Sequence, residues 1–578
     1  MNASHRRIAV LLSLAAALAL SVLAARSIAG DLARPRDLHG APHATSEQCR
    51  RCHPSHYESW ARSFHRTMTQ EASESAVLGD FAGATFAYGG ITARMERDGD
   101  AFTMTFAGPQ GVLARARVVR TVGSRRIQQY LARDGDLLFR LPLAWHVEEG
   151  RWMHMNGAFL TPDPPEPAPG EHIAREDYYR HVTRWNDNCV FCHNVAPNPG
   201  WDPARERWDT EVAELGIACE ACHGPAGEHV RASANPARRY ALHLSDVPDP
   251  TIVNPARLTP ERSAEVCGRC HGQRITDDVG RFLERGDPFV PGDRLESYSR
   301  PLSRETTLRG EPAFAPRFWA DGTARLTAYE YQGLLQSACA RGGLTCTSCH
   351  GMHEGDPRGQ IRPSTVGDAA CTGCHEELAT RAHTRHESVE CADCHMPRIV
   401  YGLIDVHRSH RLDSPESNGA RPDACTLCHA DETRAWAIRE RARLFGGEPP
   451  PEEAEAIPEV DRLALGGDPI ERAVAAAALG RADALGSEQA RARRVGVLLD
   501  VMVADPYPAV RRIAWRSARS LARDAAIDWN AYEPTAPRAE RARFAEGVRA
   551  RVAALSPDPA VVAALRARAA TVAIEIGE

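Results

Sequence analysis

A mainly α fold with much irregular structure is what this 578-residue sequence predicts, with a small antiparallel β insert and an α-helical repeat region towards the C-terminal end. Three observations carry that expectation. A Cys-x-x-Cys-His pattern recurs eight times between Cys49 and His429. Residues 84–160 lack cysteine and alternate apolar with polar positions. Residues 441–578 are rich in Ala and Arg, helical in their apolar period and again free of cysteine. A chain this long exceeds one core of about 250–300 residues, so at least two domains are expected.

In chain order, residues 1–30 come first. His5, Arg6 and Arg7 precede an apolar run from Ile8 to Ala25, with small residues at Ala24, Ala25, Ala29 and Gly30. That is the pattern of an export signal, and the run is also just long enough to span a bilayer. A cleaved signal peptide and an uncleaved N-terminal anchor are both open readings. Either places the protein outside the cytoplasm, in the periplasm or on the outer face of a membrane. No cysteine follows the run closely, which argues against lipoprotein processing.

The β insert rests on Phe86-Ala87-Tyr88, Ile91 to Met95, Phe102 to Phe106, Val112 to Val119 and Leu137 to Leu143, with turns at Gly89-Gly90 and Asp98-Gly99-Asp100. The proline-rich stretch 161–170 is a loop, because proline removes donors and fixes the backbone. Near the other end, Asp468-Pro469 opens Glu471 to Ala476, and 37 residues later Asp505-Pro506 opens Ala509 to Ala514. This spacing fits helical hairpins, and Asp505 to Leu521 resembles a HEAT-repeat helix. Such a region is either a cap on the rest of the chain or a docking surface for another protein.

Between these regions stand the eight motifs: Cys49/Cys52/His53, Cys189/Cys192/His193, Cys219/Cys222/His223, Cys267/Cys270/His271, Cys346/Cys349/His350, Cys371/Cys374/His375, Cys391/Cys394/His395 and Cys425/Cys428/His429. A two-residue gap puts both thiols on one turn, so that they can add to the two vinyl groups of one haem while the next residue reaches the iron. Zinc ribbons also use paired cysteines but do not require a histidine after every pair. A disulfide framework gives no reason for the fixed histidine either. The sequence therefore predicts eight c-type haems, with the sixteen motif cysteines as covalent attachments and the eight motif histidines as proximal iron ligands.

About 48 residues per motif, against ~100–150 for a typical domain, leaves no room for eight separate haem domains. The cofactors must supply much of the core and pack against one another within residues 31–440. Formal net charge is −6, and haem propionates make the holoprotein more acidic, which argues against nucleic acid as a partner. All 70 basic residues are Arg, whose fork suits propionates, although a GC-rich coding sequence explains this too.

A second axial histidine closes a haem and suits it to electron transfer. Of 24 histidines, 15 remain after the proximal eight and His5 are set aside, enough for full bis-His ligation. The contexts of His65, within Tyr57 to His65, and of His229, within Cys222 to His229, resemble the cytochrome c-552/4 group. That group is related to octahaem hydroxylamine oxidoreductases and to nitrite and tetrathionate reductases. The resemblance extends through Tyr329 to Leu335, Leu344 to His353, Cys391 to Pro397 and Asp405 to His410, and covers most of residues 45–430. It implies distal-ligand candidacy for His65, His229, His353, His383, His386, His407 and His410, followed by His172 and His181. Met68, Met352 and Met396 are weaker alternatives, and Cys339, the seventeenth cysteine, is expected as a buried thiol.

The favoured function is electron transfer through mostly bis-His haems between a donor and an acceptor protein, without substrate chemistry. The alternative is an octahaem oxidoreductase acting on hydroxylamine, nitrite or a sulfur oxyanion at one open haem. The related reductases mark their catalytic haem with Cys-x-x-Cys-Lys, which does not occur here. A hydroxylamine oxidoreductase-like tyrosine crosslink keeps Tyr401 as a candidate, and catalytic residues are otherwise unassigned.

Overall fold

The computed structural model describes residues 3–354, 359–448, 457–481, 486–523 and 526–569, so parts of the 1–30 and 441–578 regions lie outside the described residues. The chain is 41% helix and 17% strand, a mixed architecture with more sheet than a small insert implies. Its first helix, Ala3–Leu32, is long and apolar enough to cross a membrane, and its side chains from Ile8 to Leu23 are exposed.

Eight strands form one antiparallel sheet: β1 (Thr69–Glu71), β2 (Ala82–Tyr88), β3 (Ile91–Asp98), β4 (Ala101–Gly108), β5 (Gly111–Val122), β6 (Ile127–Asp134), β7 (Leu137–His146) and β8 (Arg151–His154). β2 to β8 run as a meander in chain order, and β1 pairs with β5. The alternation seen in the sequence has its physical cause in β4, where Phe102, Met104 and Phe106 turn inward. They meet Phe81, Tyr88, Ile91, Met95, Tyr130 and Trp152 in one core cluster.

The turn between β2 and β3 is Gly89-Gly90, with φ of 57° and 78°, between the paired Tyr88 and Ile91. Two positive φ values in a two-residue loop match the twist of the flanking strands. A Cβ on Gly90 would also stand 2.3 Å from the Glu171 carbonyl oxygen.

A second core gathers the helices near the C-terminal end: Glu459–Gly466, Pro469–Leu479, Glu488–Ala504 and Pro508–Leu521 pack through Val460, Ile470, Val474, Leu498, Val510 and Trp515. Asp468 caps its helix by accepting from Ile470 N (2.9 Å) and Glu471 N (3.1 Å), and Glu471 accepts from Asp468 N (2.8 Å). The same core takes in Ile399, Val400, Tyr401 and Val406 of the hairpin Arg398–Gly402/Asp405–Arg408, and Leu427 inside the last motif.

Arginines join sheet and helices. Arg511 and Arg512 are wholly buried, with Arg512 donating to Glu149 (2.7 Å) and Arg511 to Asp163 (3.0 Å) and the Pro534 carbonyl (2.7 Å). Arg516 donates to Glu149 (2.9 Å) and to the Ile404 carbonyl (3.1 Å). Glu149 follows β7 and Asp163 lies in the proline-rich loop, so charge-assisted bonds fix the meander on the helical region.

Candidate haem centre

Each motif is wound so that its three chemical groups converge. His53 N donates to Cys49 O (2.9 Å), His271 N to Cys267 O (2.8 Å), His350 N to Cys346 O (2.9 Å), His375 N to Cys371 O (3.0 Å) and His429 N to Cys425 O (2.7 Å). One closed turn carries the two thiols on one side with the imidazole beside them.

All 17 cysteines are free thiols, Cys339 included, and Cys339 is half-buried rather than buried. Fourteen of the sixteen motif thiols are half-buried too, but Cys52 and Cys374 are exposed. Those two depart from the expectation that cofactors pack in a core at every motif. The reason is local. Each is the second thiol of its motif and leads into exposed chain, Cys52 into His53 to His56 and Cys374 into His375 to Thr380, so no neighbouring element packs over it. An attachment at Cys52 or Cys374 lies at the molecular surface, with one edge of the site open to solvent.

What surrounds the motifs lacks a protein core. Among the described residues from 352 to 396, a stretch holding two whole motifs, none is buried. The His271 side chain is 57% accessible although chain encloses it, the mark of a side chain lining an internal void. A folded chain fills its interior to crystal density, so such a region calls for a large apolar group to pack on. Haem at the motif cysteines meets that need.

The imidazoles are set up as iron ligands. His223 Nδ1 donates to the Val253 carbonyl (2.7 Å), His350 Nδ1 to Gly359 O (3.1 Å), His395 Nδ1 to Asp413 O (2.8 Å), His386 Nδ1 to Thr384 O (2.8 Å) and His229 Nδ1 to Asp249 (3.1 Å). A carbonyl acceptor fixes the proton on Nδ1 and leaves the Nε2 lone pair for metal, the outer-shell arrangement typical of ligating histidines. Burial, with nearby histidines adding, lowers His65 and His353 to about 4, which keeps both in the neutral ligand form. His271 differs: the Glu330 carboxylate, 3.7 Å from Nδ1, raises it to about 9 against the effect of burial. Glu330, which burial alone would raise, is instead lowered to about 2 by His271.

Ring separations give the sharpest geometric result. His65 and His271 stand 6.3 Å apart between ring centres, His223 and His353 6.0 Å, His383 and His395 6.1 Å, and His386 and His429 6.1 Å. Two metal–imidazole bonds of roughly 2.0 Å, extended to the ring centres, span about 6.3 Å. Each pair thus joins one motif histidine to one predicted distal candidate, with room for one iron. His410 neighbours His271, and its charge also acts on His350; His229 neighbours both His53 and His223.

Other candidates are placed differently. His172 bonds the Ile173 carbonyl (2.8 Å) and packs on Gly90 and Gly108 of the meander. His181 is buried, bonded to Thr161 (3.0 Å) and set against Phe159. His407 lies against the Arg126 guanidinium and the Gly402 carbonyl. The Tyr401 hydroxyl donates to Ala158 O (2.7 Å) inside the helical core. His56 was not among the candidates, yet it lies 6.0 Å from His53 and 4.5 Å from His353, the latter too close for an intervening iron. Its position three residues after a motif histidine, one helical turn on, is the signal that marks it.

Comparison with known proteins agrees with this chemistry. A family model described as Doubled CXXCH motif matches residues 338–380, which hold the motifs of Cys346 and Cys371. The multiheme cytochrome MtrA of Shewanella baltica (strain OS185) is 22% identical over 287 residues, 48% of this chain and 61% of that protein, so the chain spans about three fifths of that curated relative. The crystal structure of the outer cell wall cytochrome OcwA superposes with a TM-score of 0.45 at 16% identity, covering 83% of this chain and 99% of that one. The motif match and the curated relative support the class of multihaem c-type cytochromes.

Proposed function

We propose that this chain is an octahaem electron-transfer protein acting outside the cytoplasm. The four motif-to-candidate histidine separations of 6.0–6.3 Å carry the reading, because they match six-coordinate irons with no place for a substrate. Each bound haem would supply a reversible one-electron carrier. The chain supplies the rest: thioether-forming cysteines, Nε2 lone pairs held in place by Nδ1 bonds, and the exclusion of other ligands.

We assign the axial pairs as His271 with His65, His223 with His353, His395 with His383 and His429 with His386, and extend the assignment to His53 with His229 and His350 with His410. His172 and His181, both engaged with the meander region, drop out of the ligand set. Residues 441–578 are assigned as a HEAT-like repeat region that offers a docking face to a redox partner. The N-terminal helix serves as export signal or anchor.

Electron paramagnetic resonance of the oxidised holoprotein, with and without cyanide, tests the carrier reading against an oxidoreductase with an open haem. Low-spin spectra indifferent to cyanide are expected. A high-spin signal near one haem in eight that shifts with cyanide would move the assignment to the hydroxylamine or nitrite chemistry.

A further inference from the structure

The motifs do not neighbour one another in the order in which the chain presents them. The helix Ser46–Arg50 of the first motif packs on Cys219–His223 of the third, the Cys219 thiol donates to Ser46 Oγ (3.3 Å), and the Cys49 and Cys219 thiols face each other. The second motif is absent from this contact. Its Cys192 thiol lies against Cys270 of the fourth motif instead, and Phe191 stacks near Phe282, 6.2 Å away on the helix that follows that motif.

The remaining neighbours run consecutively. Cys222 of the third motif neighbours Cys270. Pro260–Gly268 packs on Cys346–Cys349, with Cys267 facing Cys346. Cys349 neighbours Cys371, and Cys391 N donates to Asp368 (2.7 Å) at the entry of the sixth motif. His383 and His386, three residues apart, serve the seventh and eighth motifs, whose Cys394 and Cys428 are neighbours.

Because each haem is tied to its cysteines, its neighbours follow from theirs. Resting on the assignment of the motifs as covalent haem sites, we propose that the haems form a branched chain. The first, third, fourth, fifth, sixth, seventh and eighth motifs make a continuous line, and the second joins it from the side at the fourth. The conduit therefore has three ends, at His53, His193 and His429, rather than two. A one-electron donor protein and a one-electron acceptor protein can use two of them, and the third admits a further one-electron carrier; each electron that enters leaves unchanged in number.

The sheet holds the branch in place. Leu138 N of β7 donates to Asn186 Oδ1 (2.8 Å), and Leu131, Leu138, Trp185 and Val190 share one cluster with Cys189 and Phe191 packed on it. The meander is thus the wall on which the second motif is mounted away from the line.

An electron cryomicroscopy map of the purified holoprotein, with irons located as density maxima, tests this directly. The expected map has the iron at Cys189/Cys192 nearest to that at Cys267/Cys270, and the iron at Cys49/Cys52 nearest to that at Cys219/Cys222. An iron at Cys189/Cys192 lying between those of the first and third motifs would overturn the branch while leaving the haem sites intact. Motif cysteines without porphyrin density would overturn the haem assignment, and the branch with it.

Discussion

Three histidines outside the haem sites set how this molecule responds to acid. Burial lowers His146, His154 and His181 to about 3, so all three are neutral inside the fold. In the unfolded chain a histidine titrates near 6.5, so between that pH and about 3 the unfolded state binds more protons and stability falls as pH falls. Each contributes up to about 1.4 kcal/mol per pH unit in that window. Glu149, which burial would raise but Arg512 lowers, adds to the loss below the ordinary carboxylate range. Thermal unfolding followed by circular dichroism from pH 7 to pH 4 should show a steady fall in midpoint beginning near pH 6.5, and a flat profile would contradict these environments. At the haem sites, His386→Ala should open one iron, giving a cyanide-sensitive high-spin signal, while His383→Ala opens a different one. Identical spectra from the two variants would contradict the pairings, which use adjacent turns of chain for separate irons.

At the level of elements, the caps and turns decide what was legible. Asp468 ends one helix at its start and also pairs with Arg325 across the hairpin, so Asp468→Ala removes a cap worth about 1 kcal/mol and strands a buried arginine. A loss of roughly 2–4 kcal/mol in urea unfolding is expected. Gly90→Ala forces a side chain into a positive-φ position against the Glu171 carbonyl, and should cost more than the ~1 kcal/mol of an ordinary glycine replacement. The Asp-Pro openings and the Gly-Gly turn were readable because their chemistry is local. β6 was not, because Ile127 to Ala132 are buried on both faces, Tyr130 toward one cluster and Leu131 toward another, and the period-two alternation is lost. β1 and β8 are too short to carry a pattern. The proximal histidines were fixed by spacing alone, whereas the partners of His271 and His223 lie far away in the chain, at His65 and His353, and needed the fold to bring them together. Spacing was equally silent on exposure: Cys52 and Cys374 have the same motif as their half-buried counterparts, and only the packing around them sets them at the surface.

For the whole molecule, two regions own apolar cores and one does not. The meander and the C-terminal helices each bury a large cluster, while residues 352–396 bury nothing among those described. The mass of the purified protein should exceed that of its processed polypeptide by eight haems, read by intact mass spectrometry; a smaller increment would show that some motifs remain unmodified. Without haem, the sheet and the helices should persist in circular dichroism while limited proteolysis cuts first between about residues 350 and 396, since local unfolding follows the lack of buried contacts.

That last contrast sets an order for making the molecule. Two finished blocks, emerging early and late from the exporting machinery, bracket a stretch that stays a loose string until its cofactors are attached. Attachment is therefore also the quality check: a cell short of iron would make chains with sound ends and an open middle, and proteases would remove them at the segment where a haem is missing.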